Sequence, residues 1–173
     1  MMSKSPQQLG KGMIYVAWLF VLFLLYVFFN NTLERQNNPN QNITSTNHQN
    51  GVHEVVLERN RYGHYVTNGR INDQEVTFLL DTGATRVSIP ESVANQLNLQ
   101  RGVPLQASTA NGVITTYSVT LDKVAIGSVE LSSVRASINP NMLDDEILLG
   151  MSFLKHLEMV QRGDTLTLRQ LTY

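Results

Sequence analysis

From Met13 to Phe29 the chain reads MIYVAWLFVLFLLYVFF, 17 residues without a strongly polar side chain, and no charge occurs between Lys11 and Glu34. Such a run leaves a chain of 173 residues few ways to fold, because nothing downstream looks built to cover it. Crossing a bilayer as a helix takes ~20 mostly apolar residues, with a working range of about 17–25. Tyr15, Trp18, Tyr26, Phe28 and Phe29 supply aromatics of the kind that sit at membrane interfaces. The main competitor is a secretory signal, but the run exceeds the ~7–15 residues of a signal core. It is followed by Asn30-Asn31-Thr32-Leu33-Glu34, which offers no small-x-small cleavage site. Residues 13–29 therefore read as one uncleaved transmembrane anchor, preceded by a short N-terminus of residues 1–12. Lys4, Lys11 and the terminal amine precede the span, whereas Arg35, offset by Glu34, follows it. The positive-inside rule then puts the N-terminus in the cytoplasm and the rest outside, which in a bacterium is the periplasm.

Residues 30–50 are dominated by Asn and Gln, with Pro39 and no apolar periodicity. Such a segment cannot bury enough surface to offset chain entropy and is expected to be a disordered tether. Its exposure would also suit self-cleavage that releases the downstream domain. Residues 51–173 form the expected folded domain. The net charge of -1 gives no reason to expect nucleic acid as a partner. With no cysteine in the chain, disulfides, thiolate metal sites and cysteine nucleophiles are excluded.

The signals in this domain are mostly β. His64–Thr67 and Glu75–Leu80 flank Asn72-Asp73-Gln74 and read as a hairpin. Thr115–Leu121, Val124–Ile126 and Val129–Ile138 are strand-like, with Gly127-Ser128 between the last two, and Thr165–Leu168 alternates after Gly163-Asp164. Short strands punctuated by Gly and Asn predict an all-β barrel or sandwich. Two short helices are expected, over Pro90–Leu97, where proline opens the helix, and over Gly150–Leu157.

Within this frame, Val76-Thr77-Phe78-Leu79-Leu80 delivers one carboxylate to a tight turn, Asp81-Thr82-Gly83-Ala84, and Thr85–Pro90 returns to strand-like composition. A carboxylate at the tip of a rigid loop suits acid/base catalysis, and burying one is costly unless it is bonded or used. An ordinary Asp turn at a strand end is the plainer alternative. Leu105–Ala110 and Val113–Thr120 enclose Asn111-Gly112, a signal for a two-residue hairpin loop. The hairpin's small polar tip is that of a mobile cover, or of an ordinary surface hairpin. Farther on, Ile147-Leu148-Leu149-Gly150 leads into the second helix, and glycine there permits close backbone approach.

Taken together, Leu79-Leu80-Asp81-Thr82-Gly83-Ala84, the Asn-Gly hairpin and Leu148-Leu149-Gly150 resemble the retropepsin-like aspartic proteases in type, order and spacing. The single anchor and polar tether are similar to the bacterial membrane-anchored branch, single-pass in the inner membrane. The resemblance spans about Val52 to Leu171. It implies a half-barrel acid-protease lobe in each chain, with no cofactor and no metal, acting on an extended peptide or protein substrate. Asp81 would be the catalytic aspartate. Thr82 would hydrogen-bond across a dimer axis, Gly83 would offer its backbone near substrate, and Ala84 would complete the active-site loop. Thr109, Ala110, Asn111 and Gly112 would form the flap, and Leu148, Leu149 and Gly150 would support the loop from below. Members of retroviral type often carry Asp after the Ala and Arg after the later Gly; here these are Thr85 and Met151, which removes an ion pair from the rim.

The Asp-Thr/Ser-Gly triplet occurs once in this chain, so a carboxylate pair needs a homodimer, in which residues near a two-fold axis meet their own copies. Two such carboxylates cannot comfortably both ionise and would share one proton. The ionised member would take a proton from a bridging water that attacks the peptide carbonyl, while the other stabilises the oxyanion. His48, His53, His64 and His156 lack metal-ligand spacing, and neither Gly-x-Ser-x-Gly nor a phosphate loop is present. Asp144-Asp145-Glu146 reads as a solvated acidic loop. The alternative function is a non-catalytic peptide-binding or assembly module that keeps the same fold.

Overall fold

In the computed structural model of the protein, residues 6–43, 45–47, 52–109 and 112–171 are described. Helix α1 spans Pro6–Asn37. From Gly12 to Asn37 it is long and apolar enough to cross a membrane, with a mean hydropathy of 2.4 over its most apolar window. The side chains described between residues 12 and 30 are all exposed, and a helix apolar all round is one that needs a core or a membrane to bury it. Residues 37–173 form a separate β unit.

That unit contains β1 (Ser45–Asn47), β2 (Val52–Glu58), β3 (Val66–Ile71), β4 (Gln74–Leu80), β5 (Val87–Pro90), α2 (Glu91–Gln96), β6 (Pro104–Thr109), β7 (Gly112–Ile126), β8 (Val129–Asn139), β9 (Ile147–Leu149), α3 (Met151–Leu154), β10 (Glu158–Arg162) and β11 (Thr165–Leu171). One sheet runs β1-β2-β11-β10; the larger runs β3-β4-β9-β5-β8-β7-β6 and closes on itself where β3 also pairs with β7. Closure leaves no open edge among the six strands of the ring. Phe78, Ile89, Leu121, Ile126, Ile138, Ile147 and Leu149 fill its interior, and Val55, Leu57, Leu166 and Leu168 bury the inner face of the second sheet in the same core.

The turns follow local chemistry. Asn72 and Asp73 take left-handed φ values of 48° and 65°, which lets two residues close the β3–β4 hairpin with the twist that strands favour. Strand β7 runs unbroken across Asp122-Lys123, where the sequence suggests a gap between two strands. Lys123 reaches Glu130 at 3.0 Å and Asp73 at 3.5 Å, so its charge is met on the surface, and pairing with β8 resumes in the same register after Asp122. The hydrogen bond to Glu130, with Asp73 adding to it, raises the Lys123 pKa. β1, β2 and β10 are strands that the sequence pattern did not single out.

The tether expected over residues 30–50 needs correction. Helix α1 continues to Asn37, and β1 pairs with β2 through Ser45↔Val55 to Asn47↔His53. Between them Asn38 and Asn40 are buried. The Asn40 side-chain amide donates to the Glu58 and Val66 carbonyls at 2.8 and 2.7 Å, and its oxygen accepts the Glu58 N–H at 2.7 Å. Asn38 Nδ2 donates to Asn68 Oδ1 at 2.7 Å, and Asn38 Oδ1 accepts the Asn40 N–H at 3.0 Å. Asparagine signals a loop on composition, yet here it serves as a hydrogen-bonding plug for main-chain groups that would otherwise be buried unpaired. The β unit therefore begins near Asn37 rather than at residue 51.

Candidate active site

Strands β4 and β5 are joined by the turn at residues 81–86, yet they are not neighbours in the sheet. β9 lies between them, parallel to β4 through Leu79↔Leu148 and antiparallel to β5 at Ser88↔Leu148. The turn must therefore arch over the end of β9, where the chain leaves at Gly150. A Cβ on Gly150 would lie 2.2 Å from the Arg86 carbonyl oxygen and 2.5 Å from that of Ala84, so the crossing is possible only without a side chain.

The arch is tied down by main-chain bonds. The Asp81 N–H donates to the Leu149 carbonyl at 3.2 Å, the Ala84 N–H closes onto the Asp81 carbonyl at 3.2 Å, and Met151 and Ser152 N–H donate to Ala84 and Thr85 carbonyls at 2.8 and 3.0 Å. Ser152 Oγ accepts the Val87 N–H at 3.0 Å. Within the turn, Asp81 Oδ1 accepts the Gly83 N–H at 2.8 Å. That bond fixes one carboxylate oxygen and leaves the half-buried side chain its second oxygen for another partner.

Asp81, Gly83 and Ala84 line a cleft of about 700 Å³ together with Leu105–Thr109, Ile114 and Thr116 of the β6–β7 hairpin, and Ser137 and Asn139 of β8. Its volume is in the range of small-molecule and peptide sites. The hairpin overhangs because β7 is long: its first half pairs with β6 from Gly112↔Thr109 to Tyr117↔Pro104, and its second half belongs to the closed ring. Among the residues lining the cleft, the charged ones are Asp81 and Arg86.

The expected site residues divide between the cleft, the support beneath it and the surface. Thr82 is exposed and, like Gly112, is not among the residues lining the cleft. Gly112, with φ +115°, is a strand partner of Thr109, so Gly112 belongs to β7 and not to the two-residue loop expected at Asn111-Gly112. Ala110 and Asn111 themselves lie outside the described residues. Thr109 Oγ1 donates to the Gly112 carbonyl at 2.8 Å, which closes the pair. Of the expected supports, Leu149 and Gly150 are buried beneath the arch, whereas Leu148 is half-buried and lines the cleft. Period-two alternation along β9 dictates this split. Arg86, Ser88, Ser137 and Asn139 were missed by sequence reasoning, since their place depends on the β5–β8 pairing, Val87↔Ala136 to Pro90↔Asn139, which no local pattern encodes.

Comparison with known proteins gives the arrangement a family. A family described as "gag-polyprotein putative aspartyl protease" matches residues 67–156, from β3 to just beyond α3. An uncharacterised protein from the cobV 5′ region of a Sinorhizobium species is 32% identical over 180 residues, covering 96% of this chain and 77% of that protein. An uncharacterised protein of Rickettsia prowazekii is 28% identical over 110 residues, 62% of this chain and 47% of the relative. Among solved structures, a retropepsin-like aspartic protease from Rickettsia conorii aligns over 74% of this chain and 94% of its own at 26% identity, with a TM-score of 0.57. With one Asp-Thr-Gly arch per chain, one lobe per chain and the family match across that arch, the chain belongs to the retropepsin-like aspartic protease family.

Proposed function

We propose that this protein is a membrane-anchored aspartic endopeptidase that hydrolyses peptide bonds through a pair of Asp81 side chains, one from each copy in a homodimer. The observation that carries this reading is the arch itself. The carboxylate is held by the Gly83 N–H at 2.8 Å on a turn secured to β9 and α3, at the edge of a cleft overhung by a hairpin. A lone carboxylate so placed can accept a proton from water but cannot also donate one to the developing oxyanion. A symmetric partner supplies the second role.

In the dimer the two Asp81 groups divide one proton. The ionised member draws a proton from the bridging water as it attacks the carbonyl carbon, and the protonated member hydrogen-bonds the carbonyl oxygen. Collapse of the tetrahedral species expels the amine, which leaves with a proton returned by the pair. Thr82, exposed in the single chain, would bond across the axis, and Gly83 and Ala84 would flank the peptide. Thr109 to Gly112 would cover it, while Leu149 and Gly150 hold the arch. α1 would anchor the protein in a bacterial inner membrane, as its length and hydropathy allow, and Lys4 and Lys11 before the span favour a periplasmic β unit.

The test uses the full chain in detergent micelles against a peptide library. Asp81→Asn should lower kcat/KM by about 10²–10⁴-fold with unfolding midpoints unchanged, and wild-type activity should be greatest at acidic to mildly acidic pH. Activity that keeps rising above neutrality, or that survives Asp81→Asn, would overturn the reading. Absence of cleavage at every pH would favour a peptide-binding module.

A further inference from the structure

Three cations converge beside the Asp81 arch, and among the described residues no carboxylate pairs with them. Arg86 at the end of the arch, Arg135 on β8 and Lys155 just after α3 line a pocket of about 210 Å³ together with Thr85, Met151 and Ser152. Their convergence is built in: Val87 pairs with Ala136, which sets the preceding Arg86 and Arg135 side by side, and α3 starts where its N–H groups bind the arch. Among the described residues none of the three makes an ion pair; Arg35, Arg70 and Arg162 are likewise unpaired, but only Arg86, Arg135 and Lys155 share one pocket. Asp122 shares a shallow groove with Arg86 and Arg135 but pairs with neither. The net charge of the chain is -1, so the cluster does not reflect a general excess of basic residues. Ser152 Oγ already accepts the Val87 N–H, which leaves its own hydrogen free to donate.

This pocket adjoins the cleft, because Thr85 and Arg86 line both. A ligand lying in the cleft and extending past the arch would meet unpaired positive charge, two hydroxyls and the thioether of Met151, which suits the methylene stem of a glutamate. We propose that the basic pocket selects peptides carrying an acidic side chain within a few residues of the bond bound at Asp81, the Arg86–Arg135–Lys155 cluster receiving the carboxylate. The proposal rests on the protease reading for its substrate but concerns docking, which can be measured without cleavage.

The experiment uses the full chain in detergent micelles with matched peptides that differ only by Glu, Gln or Lys, scanned through the flanking positions. At one position the Glu peptide should exceed the Gln peptide by about 10–100-fold in kcat/KM, the span of a charge-assisted hydrogen bond. The difference should lie in KM and shrink as salt is added. Arg135→Glu with Lys155→Glu, both at exposed positions, should invert the order in favour of Lys, whereas Arg135→Lys with Lys155→Arg should keep it. Fluorescence anisotropy of the same labelled peptides on Asp81→Asn reads docking alone. Glu preference there, without cleavage by the wild type, would defeat the protease reading yet support this one. Cleavage with no acidic preference at any position would overturn this proposal and leave the protease standing. Loss of self-association in the charge-reversed chain, with peptide order unchanged, would overturn it too and assign the cluster to the contact between copies.

Discussion

At the scale of single residues, two positions carry structure that their side chains do not advertise. Gly150 is the floor of the arch, and any Cβ there meets backbone oxygens that cannot swing aside. Gly150→Ala should cost about 3 kcal/mol, the upper end of overpacking penalties, read as a lowered urea midpoint with unchanged slope. Asn40 does the opposite work, filling rather than vacating space. Asn40→Ala would strand the Glu58 N–H and the Glu58 and Val66 carbonyls, a loss of about 2–3 kcal/mol in the same assay. The first of these was legible in the sequence, because glycine after an apolar pair at the end of a strand admits few explanations. The second was not: asparagine in an Asn-rich stretch looks like solvent-exposed chain, and only the fold reveals the main-chain groups that it serves.

At the scale of elements, the β6–β7 hairpin shows how local and distant information divide. Its existence follows from alternation around Asn-Gly, but its register is set by the pairing of Thr109 with Gly112, one residue away from the loop that Asn111-Gly112 suggests. Gly112 sits at φ +115°, a region open in practice to glycine alone. Gly112→Val should therefore loosen the tip while sparing the barrel. KM for peptide should rise severalfold and limited proteolysis should begin within the hairpin, with the thermal midpoint nearly constant. The interleaving of β9 between β4 and β5 was beyond sequence reading, because parallel neighbours distant along the chain leave no periodic trace. So was the continuity of β7, where Asp122-Lys123 looks like a break and is instead a charged outer face. Strands β2 and β10 were missed because charged and polar residues interrupt their apolar positions, and β1, Ser-Thr-Asn, has no apolar position at all. Yet β2 still buries Val55 and Leu57 in alternation.

At the scale of the whole molecule, one lobe with one Asp-Thr-Gly turn would, on the proposed reading, be half of a symmetric machine. Mixing equal amounts of wild type and Asp81→Asn, unfolded and refolded together, should leave about a quarter of the undiluted wild-type activity if copies pair at random and one carboxylate is insufficient. Independent lobes would leave about half. Specific activity of the wild type should also fall on deep dilution in detergent and recover in vesicles, where a shared bilayer raises local concentration. The bipartite plan, an apolar helix followed by a β unit, was evident from composition alone. The boundary between the parts was not, since it depends on Asn38 and Asn40.

That boundary bears on how such a molecule could be shed. A nick anywhere from Gln41 to Gly51 would break the covalent thread yet leave Asn38 and Asn40 seated among residues 58–68. The N-terminal fragment would then behave as a bound guest, and escape into solution would need a second, slower event, its dissociation. Denaturing gels should accordingly report scission well before sedimentation reports departure from the vesicles.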